Sequence, residues 1–483
     1  MEKALLPKHR WYPEASLMHA DGGNSGSTDW PGPVGLNTSS SSSALDAVGV
    51  LLWGSNHTMV VGYVDMTTNP ITLGLVVRNA TTLQVLGQWP APANETLNLA
   101  YIELIAGDAS DRVIVSSQQG RIYSLSISHC PGSAKFTMDR KIDLSLGDIL
   151  SEGETLLNAM VDTDDNIWFT TGYINGTSGL TGGSTASPNS TTLGFVTPDN
   201  AIKRIHIAGQ VVENGIAVSG TTSFIVMGPT DGINATGYLA AYRSDEPSNG
   251  GIDQVWKLPY SAGSTTKPGA FSRGSGSTPA LLGDQFVAVT DNADGQINLI
   301  VAHQNTTTNQ LACKVPLFMP GSVANDFSAT VHFDGTLYSV MLINNYGAPQ
   351  IFSGQGSTDI NGSFNNKTMM PGGLTRVDVD TTGAACGVRW VSNITTTAVP
   401  ILSTATGLLY VYSQDPGLAL KGEYVWYLVA VSWDTGDVAW KVKMGSGGIF
   451  NDNWLSATLG PDGTFYQWVI GGLAMVKDFG SFY

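Results

Sequence analysis

The chain has 483 residues, and only 13% are charged, about half the usual quarter, so Ser, Thr, Asn and Gly must cover its surface. Lys and Arg number 23 against 39 Asp and Glu, a formal net charge of −16, and a surface of that sign repels phosphate backbones and acidic lipid, which excludes nucleic acid as a partner. A 42% hydrophobic share excludes disorder, and 57 Gly with 22 Pro mark a turn-rich chain rather than a collagen-like one.

The N-terminus, Met1-Glu2-Lys3-Ala4-Leu5-Leu6-Pro7, lacks the apolar core of a signal peptide, so a leader is read as already removed. No apolar run approaches the ~18 residues of a membrane span. Eleven Asn-x-Ser/Thr sequons fall at Asn37, Asn56, Asn79, Asn94, Asn175, Asn189, Asn234, Asn305, Asn361, Asn366 and Asn393. They read as acceptors of N-linked glycans and place the protein outside the cell or in the secretory lumen.

A turn followed by an alternating apolar strand then recurs along the chain. Copies lie at 56–61, 111–115, 165–169, 222–226, 284–288, 334–338, 406–410 and 462–466, the last being Asp462-Gly463-Thr464-Phe465-Tyr466. The spacing is about 58 residues, and pairs such as Asp-Gly supply the positive φ of a tight hairpin. A second hairpin unit alternates with the first and often closes on Trp, as at Trp89, Trp256, Trp390 and Trp440. Two hairpins make a four-stranded antiparallel sheet, and such sheets repeated around an axis make a β-propeller. Eight first hairpins against seven second ones leave one sheet incomplete. We read one all-β domain over 1–483 with eight blades, seven being the runner-up. Residues 1–43 form an opening segment whose strand closes the last blade, expected around Trp11 to His19.

In a propeller the second-to-third loops and the inter-blade loops share one face. They include Tyr173, Asn344-Asn345-Tyr346, 267–273, Asn325-Asp326-Phe327 and Phe450-Asn451-Asp452-Asn453-Trp454. Two are long, near 172–191 and 344–373, and their bases are expected to form a lid. This rim is rich in amides and aromatics and poor in charge, which suits a neutral organic ligand. The expected walls are Trp454, Phe450, Tyr346, Tyr173, Phe327 and Trp468, with Asn344, Asn345, Asn451 and Asn453 orienting ligand oxygens and Asp452 or Asp326 supplying an acid.

The seven His residues show no paired ligand spacing, so no metal site is expected. His332 lies on an innermost strand and reads as packed. Cys130, Cys313 and Cys386 leave at least one thiol unpaired; Cys313 with Cys386 can form one bridge, and buried free thiols are an equal reading. No Gly-x-Ser-x-Gly elbow, P-loop or dinucleotide fingerprint occurs.

The segment Trp433-Asp434-Thr435-Gly436-Asp437-Val438-Ala439-Trp440 resembles the repeat of the quinoprotein-like (PQQ-like) propellers. The opening Trp11-Tyr12, His19-Ala20-Asp21-Gly22-Gly23-Asn24-Ser25-Gly26 and Pro31-Gly32-Pro33 resembles the start of that superfamily. Within it the chain is similar to the secreted fungal hetero-Diels–Alderases of tropolone-sesquiterpenoid biosynthesis. That resemblance implies a cofactor-free pericyclase that couples a tropolone quinone methide to a humulene-type terpene in an apolar pocket on the axis. The other readings are a non-catalytic ligand- or protein-binding propeller and a quinoprotein-like oxidoreductase. The acidic and basic cluster and the vicinal cysteines of true quinoprotein dehydrogenases are not seen.

Overall fold

The computed structural model describes the chain apart from residues 1–18, 46–48, 66–67, 69–70, 108, 148, 152, 173–188, 231–235, 245–250, 272, 350–360, 453, 455 and 480–483. Strands form where apolar residues alternate or run together between turn residues, as in Phe286–Thr290, Phe-Val-Ala-Val-Thr, buried throughout. The turns need glycine at defined points. Gly436 has a φ of 78°, and its Cα lies so flat on the Trp390 ring that a Cβ would stand 2.7 Å from Cδ2.

Eight antiparallel sheets result, as expected. In chain order the blades span 51–90, 97–143, 155–208, 210–261, 280–316, 330–392, 401–446 and 458–478. The eighth has three strands from the C-terminal stretch and takes its outermost strand from Thr38–Ser43, paired antiparallel with Gly472–Asp478. The closing strand is thus this Ser run, not the stretch from Trp11 to His19. It carries no apolar alternation because it is largely exposed at the sheet edge, where backbone pairing alone holds it.

His19 instead begins a buried segment, 19–28, that lies along the inner edges of the blades. The carbonyls of Gly22, Gly23, Ser25 and Gly26 accept from Val218, Leu281, Val331 and Leu402, on the innermost strands of blades four to seven in turn. Ser27–Thr28 then adds a parallel strand beside Ile401–Ser403. Asn24, at a φ of 50°, fastens the segment: its Nδ2 donates to Ile216 O and Pro279 O at 2.9 Å, and its Oδ1 accepts from His19 N.

The core consists of wedges between adjacent blades rather than one central mass. Phe286, Leu299, Tyr338 and Val377 fill the wedge between blades five and six, and Leu402, Val411, Trp390 and Met341 fill the next. Blade-end tryptophans lock across these wedges: Trp390 Nε1 donates to Trp433 O at 2.7 Å, and Trp256 Nε1 to Gln304 O at 3.0 Å. His332 is packed edge-on to Trp433 in the same way. Cys313 and Cys386 are bridged and tie the outer strands of blades five and six, while Cys130 is an exposed thiol. Among the described residues no helix is long and apolar enough to cross a membrane.

Asn24→Ala should unpair two buried carbonyls and one buried N–H at once. It is expected to cost about 2–4 kcal/mol, read as a lower midpoint in denaturant unfolding.

Candidate functional site

The inner strand of blade four is interrupted. Gln210–Val211 and Ala217–Ser219 both pair with Thr222–Pro229, and the break between them holds Glu213 and Asn214. Polar residues occupy this gap because a bulged inner strand re-aims side chains toward the axis. Asn214 Nδ2 reaches across to Gly276 O at 2.8 Å, on the connection into blade five, and to Asp326 O at 2.9 Å, on the connection into blade six. Its Oδ1 accepts from Tyr101 Oη at 3.0 Å.

Asp326 is the buried acid of this cluster. Its N–H donates to Asn345 Oδ1, and Asn345 Nδ2 returns a bond to Asp326 Oδ2, both at 3.2 Å. Burial pushes the Asp326 carboxyl up to about 7, against the pull of the Asn345 amide and the Lys267 ammonium. A Cβ on Gly276 would stand 2.4 Å from Asp326 Oδ1 and 2.6 Å from Glu213 Oε1, so both carboxyl groups close on one point. Beside them His19 stacks on Tyr101 with ring centroids 4.3 Å apart. Its Nδ1 donates to Ala100 O at 2.9 Å and its Nε2 accepts from Thr278 Oγ1 at 2.7 Å. Burial lowers His19 to about 4, so the imidazole is neutral.

Three inter-blade connections meet next to Asp326. Trp454, from the connection between blades seven and eight, lies 4.9 Å from Phe271 and 5.6 Å from Phe327, centroid to centroid. Phe271 belongs to the four-to-five connection, and Phe327 follows Asp326. Trp454 has a φ of 62°, a strained conformation for a bulky residue. Among the described residues its buried indole Nε1 has no hydrogen-bond partner.

Of the residues read as a rim, Asp326, Phe327, Asn345 and Trp454 lie together, the first three of them buried. Asn344 lies beside them with all its bonds directed to backbone: Oδ1 accepts from Ala324 N and Tyr346 N, and Nδ2 donates to Ser322 O and Gly372 O. Tyr346 is half-buried on the rim. Phe450 packs under Gly445, and its carbonyl accepts from Tyr412 Oη at 2.7 Å. Trp468 is in the wedge between blades eight and one with Trp53 and Tyr466, away from the axis. Tyr173 and Asn453 lie outside the described residues.

Asp452 belongs to a second buried cluster. Its Oδ2 meets Lys367 Nζ at 2.7 Å, and Thr397 Oγ1 donates to its Oδ1 at 2.7 Å. Lys367 also bonds Thr397 and lies over the Trp426 ring, 4.6 Å from its centroid. Burial lowers the Lys367 ammonium, against the pull of Asp452. Asp452 raises Tyr412 further beyond what burial does. Asn451 Nδ2 donates to Asn365 Oδ1 at 2.9 Å, and Gln414 holds both Asn365 O and Lys367 N. The described base of the long blade-six loop is thus pinned to blade seven. Asp452 also accepts from Trp454 N at 3.3 Å, so the pin steadies the aromatic trio.

Sequence reasoning missed Glu213, Asn214, Lys367 and Phe271 as individual site residues. Glu213-Asn214 was legible as a polar pair interrupting an apolar strand run. Lys367 carried no signal, because an ion pair between residues 85 apart depends on loop docking.

Among the described residues no three His, Cys, Asp or Glu side chains converge as a metal site would. Glu213 and Asp326 offer two carboxyl groups, but the amide oxygens of Asn214 and Asn345 already accept from Tyr101 and from Asp326 N.

No protein-family model matches the chain. An uncharacterized protein of Archaeoglobus fulgidus is 25% identical over 244 residues, which is 45% of this chain and 44% of that protein. The chain thus spans under half the length of that relative. Among solved structures it is similar to a europium-containing methanol dehydrogenase, with a TM-score of 0.51 and 13% identity over 94% of this chain and 90% of the other. A quinohemoprotein alcohol dehydrogenase from Pseudomonas putida HK5 aligns with a TM-score of 0.49 and 11% identity over 98% and 79%. The likeness to the methanol dehydrogenase shows the β-propeller fold. Identities this low speak for the fold alone.

Lys367→Met should leave Asp452 as an uncompensated buried charge and cost about 3–5 kcal/mol. The double variant Lys367→Met with Asp452→Asn should recover part of that loss in thermal unfolding.

Proposed function

We propose that this propeller binds a neutral organic molecule at its axis and promotes its acid-assisted coupling, the cofactor-free hetero-Diels–Alder class of reaction between a quinone methide and a terpene alkene. One observation carries the reading: a carboxyl group, Asp326, buried at the axis and raised to about 7, beside an aromatic trio. A cycloaddition needs little covalent help. Walls that hold two partners in a reactive pose supply effective molarity, and Phe271, Phe327 and Trp454 are such walls. Forming the quinone methide is the step that needs an acid. Asp326 gives its proton to the departing hydroxyl as the C–O bond breaks, water leaves, and the phenolic O–H proton restores the site. The Trp454 indole N–H, without a partner among the described residues, would donate to a ligand oxygen.

Secretion and N-glycosylation belong to the same proposal. Every described sequon asparagine is at least partly exposed, and the Cys313–Cys386 bridge suits an oxidising compartment. Asn175 and Asn234 lie outside the described residues.

The test is turnover of an ortho-hydroxybenzyl-alcohol-type tropolone with a humulene-type alkene. Asp326→Asn should lower the rate by about 10²–10⁴-fold with the melting temperature little changed. Trp454→Ala should weaken it by roughly 30-fold or more through lost wall contacts. The wild-type rate should fall as pH rises through about 7, because Asp326 then loses the proton it donates. A fully active Asp326→Asn protein would overturn the assignment.

A further inference from the structure

We infer that two turns, 267–270 and 345–348, are docked as one clamp that presents the Asp326 carboxyl and the Phe271 wall to a ligand together, with Gly269 as its positioning residue. The first turn belongs to the connection into blade five, and the second follows the second strand of blade six. Each closes in the pattern of a type II turn. Ala270 N donates to Lys267 O at 3.0 Å across Pro268-Gly269, and Ala348 N to Asn345 O at 2.9 Å across Tyr346-Gly347. Gly269 and Gly347 have the positive φ that this pattern needs, 88° and 71°. The turns then meet: Gly347 N donates to Pro268 O at 2.7 Å. A Cβ at residue 269 would stand 2.6 Å from Ala348 N and 2.7 Å from Asn345 O. Those are backbone atoms of the second turn, so only glycine lets the two approach.

Besides burial, three groups among the described residues act on the Asp326 carboxyl, and all three come from the clamp. Asn345, at the start of the second turn, donates from Nδ2 to Asp326 Oδ2 at 3.2 Å. The Phe271 N–H, just after the first turn, donates to the carboxyl, and the Lys267 ammonium, at the start of that turn, attracts it. Asn345 N also donates to Ala324 O at 3.0 Å, which ties the second turn to the connection that carries Asp326. The other charged or titratable groups around the site lie outside the two turns. Glu213 approaches from blade four across Gly276, and Arg273 Nε donates to Gly263 O at 2.9 Å. Asp291 pairs with Lys314, Asp294 accepts from Ser264 N, Asp452 pairs with Lys367, and His19 is neutral.

The consequence for substrate choice rests on Asp326 being the acid of the reaction proposed above. Acid and wall are fixed to the same backbone, because Phe271 carries one ring of the aromatic trio and one hydrogen bond to the acid. A ligand ring packed on Phe271 therefore meets the acid at one fixed offset. That favours a rigid substrate, with the departing hydroxyl on a carbon bonded to the ring, over one that carries it on a flexible chain. The clamp also governs where the proton sits. Burial keeps the proton on Asp326, the three clamp groups favour the ionised form, and burial outweighs them. Parting the turns removes those groups and admits water, so the larger effect is lost and the carboxyl moves down toward the ordinary range. Removing the Asn345 donor alone, with the site still covered, moves it up.

Infrared titration of the full-length protein tests the clamp without any substrate, so its failure is separate from failure of the coupling reaction. The carboxylic-acid C=O band that Asp326→Asn removes is that of Asp326, with an expected wild-type midpoint of about 7. Gly269→Ala should lower that midpoint by about one pH unit or more, and Asn345→Leu should raise it. Pro268→Gly loosens the same turn at an exposed position and should lower the midpoint by a smaller step. It covers the case in which Gly269→Ala fails to fold. A residue that only supported the fold would not give opposite shifts of this kind. An Asp326 midpoint that is unmoved in the folded turn variants, or that rises in them, would overturn the clamp. A protein in which Asp326→Asn removes no band would overturn the acid and the clamp together.

Discussion

The hydrogen bonds between segment 19–28 and the inner blade edges are the constraint on which the rest depends. A propeller blade leaves the inner side of its first strand unpaired, and a buried backbone N–H without a partner is costly. Here carbonyls of Gly22, Gly23, Ser25 and Gly26 meet N–H groups from four successive blades. The chain can run this close to four strands because three of these carbonyls belong to glycines. The same segment then leaves the axis and becomes the outer strand of blade eight. One stretch of chain thus lines the channel and closes the ring. It also sets the site, since His19 stands against Tyr101 and Thr278, next to the Asn214–Asp326 cluster.

Low charge has a structural counterpart. With few ions to use, the chain satisfies its buried loops with amides. Asn24, Asn214, Asn344 and Asn345 each bridge two or more separate segments. Asparagine suits this role because it carries both a donor and an acceptor on a short, stiff stem. An Asn-rich rim is therefore partly architecture. Asn344 makes four backbone bonds and has no capacity left for a ligand. Beside the amides, Phe271 and Trp454 are partly exposed and Asp326 is buried.

The two buried acidic clusters differ in a way that separates their roles. Asp452 has a lysine at hydrogen-bond distance and a threonine bonded to it, so it is a neutralised pin between loops. Asp326 has the Asn345 amide and the Phe271 N–H as partners, and burial outweighs them and the Lys267 ammonium, so its carboxyl is raised to about 7. The propeller fold is shared with a methanol dehydrogenase. At this axis the amide oxygens of Asn214 and Asn345 accept from protein groups. The common scaffold is a ring of sheets whose loops converge, and the chemistry depends on which side chains those loops carry.

The eight-fold repeat was legible because strand and hairpin signals are local. Alternation such as Ile167-Trp168-Phe169 and turns such as Asp462-Gly463 act within a few residues, and eight of them against seven second hairpins already implied a shared last blade. The loop face was legible for the same reason, and it placed Asp326, Phe327, Asn345 and Trp454 at one end of the axis. The closing strand was misplaced because Thr38–Ser43 is held by backbone pairing at an exposed edge, which leaves no apolar pattern to read. Sequence alone likewise left open whether Cys313 and Cys386 were bridged, and it put Asp452 ahead of Asp326 as the acid. Tertiary structure separated them, because burial and neighbours decide where a proton sits, and those neighbours are distant in the chain. Glu213, Gly276 and Asp326 are brought to one point only by the curvature of a closed ring.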